Sequence, residues 1–84
     1  MENKVLIELV VPELEEKFDV FIPITKRVGN VIALLAKAIN ELGINYSLTP
    51  TMAIYNRRTA QLYNPNDIIY NTDIMNGTVL ILIS

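Results

Sequence analysis

Apolar positions along this chain fall into two periodicities. The run Val5–Val11 is apolar at every position but Glu8 and stops at Pro12. It is too short for a stable helix and rich in β-branched residues, which predicts a strand. The polar stretch Pro12-Glu13-Leu14-Glu15-Glu16-Lys17 connects it to a second strand, Phe18–Ile22, ended by Pro23. There Phe18, Val20 and Ile22 alternate with Asp19 and Phe21, so one face is clearly apolar. Two such strands with a short polar link predict a hairpin.

The next block changes period. Val28, Ile32, Leu35, Ile39 and Leu42 recur at helical spacing, and Val31, Leu34 and Ala38 widen the stripe. This predicts a helix of about four turns, with Thr25 as its N-cap and Gly43 as the residue that stops it. Gly29 weakens the first turn. The extra width at Val31 and Leu34 is expected to be buried in a small core. Beyond a polar loop from Ile44 to Thr51, short strands are expected at Met52–Tyr55 and Gln61–Tyr63, with a turn at Asn56–Ala60 between them. Asn64-Pro65-Asn66-Asp67 is a turn or a 3₁₀ entry, Asn76-Gly77 is a turn dipeptide, and the last strand spans Thr78–Ile83.

The order is therefore ββαβ(β)β. The first and last strands are apolar at nearly every position, which suits the middle of a sheet. Placed side by side, they leave the hairpin partner on one flank and the Met52 strand on the other. The expected architecture is α+β: a β-grasp (ubiquitin-like) domain over residues 1–84, a four- to five-stranded mixed sheet with one helix packed on one face.

Two segments carry a family resemblance. Phe18-Asp19-Val20-Phe21-Ile22-Pro23, followed by Val28-Gly29-Asn30-Val31-Ile32-Ala33-Leu34-Leu35, resembles the strand, proline and helix start of the YukD/EsaB-like ubiquitin-like proteins. Ile69-Tyr70-Asn71-Thr72-Asp73-Ile74-Met75-Asn76-Gly77-Thr78-Val79-Leu80 resembles the ending found across ubiquitin-like domains, with the acidic residue placed differently. The Asn56–Ala60 loop is longer than is usual for the group. The resemblance implies a cytoplasmic accessory protein of a type VII (ESX-like) secretion system in a Gram-positive bacterium, with no enzymatic activity.

Composition narrows the chemistry. The 84 residues include no His and no Cys. This removes the usual general base near neutral pH, the commonest metal ligand, the Ser-His-Asp triad and any thiolate. The net charge of −2 argues against a nucleic-acid partner. Glu13, Glu15 and Glu16 lack the spacing and glycine of a calcium loop. Asp67 and Asp73 suit turns better than paired acid–base work. No catalytic residue, metal, cofactor or small-molecule substrate is expected. Met1-Glu2-Asn3-Lys4 has no basic leader region, and no stretch is apolar enough to insert in a membrane. Conjugated ubiquitins and sulfur carriers end in Gly-Gly. This sequence ends Ile81-Leu82-Ile83-Ser84, so neither role is expected. A β-grasp carrier, or a structural subunit of an unrelated complex, is the alternative.

Hydrophobic residues make up 51% of the chain and charged residues only 19%, which is apolar for so small a domain. One helix covers one face of a sheet. The inward set is Val5, Ile7, Leu9, Val11, Val20, Ile22, Met52, Ile54, Leu80 and Leu82. That leaves Leu6, Glu8, Val10, Phe21, Ala53, Tyr55, Val79, Ile81 and Ile83 facing out. A one-residue register shift in the first or last strand exposes an equally apolar set. The expected site is thus an open sheet face that binds a protein partner or a second copy of the chain. Leu6, Phe21, Tyr55 and Ile81 are its anchors, with Val10 and Val79 between them. Arg57 and Arg58, at a loop tip, are candidates for docking an acidic partner.

Overall fold

The computed structural model describes residues 3–84. Met1 and Glu2, part of the segment read as lacking a leader, lie outside the described residues. Strand β1 (Lys4–Val11) pairs antiparallel with β2 (Glu16–Pro23) in the register Leu6↔Phe21, Glu8↔Asp19 and Val10↔Lys17. Pro12 has no amide hydrogen to continue the ladder. The hairpin closes in one 3₁₀ turn, Pro12–Leu14, with Glu15 in the left-handed region at φ 53°. This tight closure starts β2 two residues earlier than the hydrophobic pattern indicates.

Helix α1 (Val28–Glu41) crosses to β3 (Ala53–Asn56), and β4 (Val79–Ile83) ends the sheet. The strand order is β2-β1-β4-β3. β4 runs parallel to β1, with Leu9 beside Leu80, and antiparallel to β3, with Ile54 beside Leu82. Among the described residues the sheet has four strands. Gln61–Tyr63, expected as a fifth, makes only a bridge between Leu62 and Tyr55. The left-handed Ala60 (φ 60°) turns the chain so sharply that pairing lasts one residue pair.

The helix start also differs from expectation. The N-cap position is Arg27, not Thr25, and its side chain caps nothing. Backbone carbonyls do that work: the Val28 amide donates to Asp67 O at 2.8 Å and the Gly29 amide to Pro65 O at 2.9 Å. These are amides a helix cannot satisfy internally. A β-carbon at residue 29 would lie 3.3 Å from the Pro65 carbonyl oxygen, so glycine is placed there for close approach of the loop. At the other end Gly43 has φ +86°, as its stop role requires.

One face of the sheet and the helix enclose the core. Ile7, Leu9, Val11, Ile22, Ile54, Leu80 and Leu82 are buried, and Val5, Val20 and Met52 pack against them half-buried. The helix adds Val28, Val31, Ile32, Leu35, Ala36 and Ile39. Leu34 does not join them and is 47% exposed. It lies about 60° past Val31 on the helical wheel, beyond the reach of a four-stranded sheet. Tyr46, Tyr63, Ile69 and Ile74 reach the core from connecting segments.

Tyr46 is held by Asn40. The Asn40 side chain donates to the carbonyls of Ala36 and Tyr46 and accepts from the Tyr46 amide. The Tyr46 hydroxyl is buried with no hydrogen-bond partner among the described residues. Burial, with the Glu13 charge as a smaller cause, raises its pKa. Tyr46→Phe should therefore leave stability unchanged or raise it by up to about 1 kcal/mol, whereas Asn40→Ala should lower it by about 1–2 kcal/mol. Urea denaturation of the two variants checks both signs.

Candidate interaction surface

Strand alternation sends every second side chain away from the helix, and the registers assemble these into rows across the sheet. One row pairs Phe21 with Leu6. The next runs Asp19–Glu8–Val79 and continues to Arg57, whose amide donates to Val79 O at 3.0 Å. A third runs Lys17–Val10–Ile81–Tyr55. Nothing from the described residues lies across this face as a second layer: Phe21 is 65% and Leu6 40% exposed.

Exposure is uneven. Val10, Tyr55 and Val79 are half-buried, Arg57 and Arg58 are exposed, and Ile81 is only 9% exposed. Ile81 is therefore not an exposed anchor. It is outside the core cluster and is flanked by Val10 and Tyr55 on the neighbouring strands. It serves as the floor of the face, and Leu6 and Phe21 are its protruding apolar groups. The exposed leucines Leu34 and Leu42 lie elsewhere, on the helix side, so the apolar excess is not confined to the sheet.

The Asn76-Gly77 turn extends this surface beyond the strand ends. The Leu6 amide donates to Asn76 Oδ1 at 2.7 Å, and the Gly77 amide donates to Leu6 O at 2.8 Å. The turn separates two contiguous hollows. One, of about 480 Å³, is bounded by Leu6, Phe21, Glu8 and Asp19. The other, of about 550 Å³, is bounded by Arg57, Arg58, Asp73 and Met75. Val79 and Gly77 line both. The groove is thus acidic and apolar at one end and basic at the other.

The basic end is built by a buried polar chain that hydrophobic patterning misses. Asn56, 4% exposed, accepts from the amides of Arg58 at 2.8 Å and Thr59 at 3.3 Å through Oδ1. Its Nδ2 donates to the Tyr63 hydroxyl at 3.1 Å, which donates to Asp73 Oδ1 at 2.5 Å. The legible signal was an Asn at a strand end before a turn, where the side chain mimics backbone. Together the bonds hold the Arg57-Arg58 turn against β4. Among the described residues Glu8, Asp19, Arg57 and Arg58 form no ion pair, and the basic hollow also holds the Asp73 carboxylate. No group of three or more Asp and Glu suited to a metal occurs among the described residues either.

No protein-family model matches the sequence, and no curated protein matches it significantly. Solved structures match well. A chain from a study of molecular mimicry of SUMO in DNA repair superposes with a TM-score of 0.79 at 15% identity, covering 100% of this chain and 95% of that one. The fold is ubiquitin-like. The ubiquitin-like domain of the Mycobacterium tuberculosis type VII secretion protein ECCD1 superposes at 0.67 with 11% identity, covering 99% and 100%. A chain of a toluene 4-monooxygenase complex superposes at 0.73 with 12% identity, covering 94% and 95%. Identities this low establish the ubiquitin-like fold and nothing finer.

Burial first, and then the hydrogen bond to Asp73, push the Tyr63 pKa from 10.0 to about 12. A raised folded-state pKa contributes stability that is complete below the unfolded value and lost as pH rises through the folded one. Stability should therefore fall between pH 10 and pH 12 by on the order of 2 kcal/mol from Tyr63. Tyr63→Phe should be less stable at neutral pH but show a flatter alkaline slope, measured by denaturant titration across that window.

Proposed function

We propose that this ubiquitin-like domain is a non-catalytic protein-interaction module, an accessory or regulatory component of a bacterial type VII (ESX-like) secretion system that acts in the cytoplasm. The observation that carries the interaction role is the uncovered sheet face, with Phe21 and Leu6 exposed side by side next to a groove of unpaired charge. Apolar side chains of that size in contact with water favour a surface that removes them from it. The secretion context rests on the resemblance to YukD/EsaB-like proteins and is supported by the shared fold of the mycobacterial ECCD1 domain. The absence of His and Cys leaves the groove without a nucleophile–base pair of the common kinds. Among the described residues no helix is long and apolar enough to cross a membrane.

A structural subunit of an oxidative enzyme complex is the second reading, favoured by the toluene 4-monooxygenase similarity. Affinity purification of the tagged full chain from its native host, with mass spectrometry, separates the two. The secretion reading predicts co-purification of the FtsK/SpoIIIE-like secretion ATPase or its membrane partners. The second reading predicts subunits of a monooxygenase complex. The double variant Leu6→Ser with Phe21→Ser should fold with a stability change of about 1 kcal/mol or less, because both residues are exposed. It should lose the specific partner. Retention of that partner by the folded variant would contradict the role given to this face.

A further inference from the structure

In the row through Val79 the charges on the open face form a pattern that is complementary to itself, with Lys17 in the neighbouring row. Glu8 lies one strand to one side of Val79, and Arg57 follows β3 one strand to the other side. Strand spacing puts each about 4.8 Å from the β4 line. Asp19 is one strand further out than Glu8, opposite it on β2. Arg58, next after Arg57, leads into the segment that runs outside β3. Two carboxylates directly opposite each other on neighbouring strands repel, and neither forms an ion pair among the described residues.

The geometry points to a second copy of this chain as the occupant of the face, related by a two-fold axis lying along β4. Rotation by half a turn about that line places β1 of one copy over β3 of the other. Glu8 then faces Arg57 of the second copy, twice per dimer, and Asp19 approaches Arg58. The same rotation sets Val10 over Tyr55, with Ile81 of each copy on the axis as the floor beneath them. A two-fold axis perpendicular to the strands gives the opposite result, with Glu8 and Asp19 of the two copies stacked on each other. Charge therefore selects one of the two symmetric ways of closing the sheets, the aligned packing with layers about 10 Å apart.

The area sets the strength. Four strands by about five residues present on the order of 300–400 Å² of plane, so the interface falls in the small, transient class. Ion pairs at the rim make it weaker at higher salt.

This dimer rests on the reading of the face as an interaction surface, and the test separates the two. Sedimentation velocity of the full chain from 10 μM to 1 mM should show concentration-dependent dimer in low salt. Glu8→Arg and Arg57→Glu should each weaken it at least about tenfold by creating like-charge contacts. An equimolar mixture of the two variants should recover the dimer, because each then meets its opposite. Circular dichroism confirms that both variants are folded, and recovery in the mixture shows it independently. A wild type that is monomeric at 1 mM, variants as dimeric as the wild type, or a mixture that stays monomeric overturns the proposal. If the wild type is monomeric while Leu6→Ser with Phe21→Ser still abolishes capture of the secretion component, self-pairing falls and the interaction face stands. If the charge swap behaves as expected while that capture is unaffected, self-pairing stands and the face is not the secretion partner's site.

Discussion

The parallel contact between β1 and β4 is the constraint on which the rest depends. Leu9 and Leu80 meet there, at 1% and 0% exposure, in the middle of the sheet. Parallel pairing of two strands from opposite ends of the chain requires everything between them to cross from one edge to the other. Among the described residues the long apolar stripe that makes that passage is the helix, and it lands on one face. β2 and β3 are left as edges and the second face is left uncovered. The open surface is thus a consequence of topology, and the apolar outward residues on it follow from both central strands being hydrophobic on both sides.

The long segment between β3 and β4 solves a different problem. It has almost no regular structure, yet Tyr63, Ile69 and Ile74 anchor it in the core. Its backbone is satisfied by the chain around the helix start: Ile69 and Tyr70 donate to Lys26 and Ile24 at 3.0 Å each, while Pro65 and Asp67 accept from the first helical amides. One stretch thereby caps the helix, closes the core and delivers the Asn76-Gly77 turn to the end of β1. The glycine at position 29 makes sense only in this setting. Viewed along the helix alone it is a weak residue. Viewed against Pro65 it is the space the loop needs.

The parts of the fold governed by periodicity were readable in advance. The strand order, the helix extent and the inward-facing set all follow from two-residue and 3.6-residue alternation, because burial of apolar groups dominates their placement. Thr25 as N-cap was not realised because distant carbonyls of Pro65 and Asp67 take that role, and Gln61–Tyr63 as a strand was not realised because the adjacent Ala60 is left-handed, which apolar periodicity does not mark. The candidate surface shows the same division. Leu6, Val10, Phe21, Tyr55, Val79 and Ile81 were assignable to one face by parity. The burial of Ile81 was not, because it depends on the size of its neighbours. The Asn56–Tyr63–Asp73 chain was invisible to hydrophobic pattern, and it is what fixes the two arginines beside β4.

The central claim is that association takes place on the uncovered sheet face and not on the leucines of the helix side. Amide and methyl chemical shifts of the isotopically labelled chain, followed over a concentration series, test it residue by residue. The account predicts concentration-dependent shifts confined to Leu6, Glu8, Val10, Phe21, Tyr55, Arg57, Val79 and Ile81 and their immediate neighbours, with Leu34 and Leu42 unmoved. Shifts centred on Leu34 and Leu42, or a spectrum unchanged across the series, would contradict it.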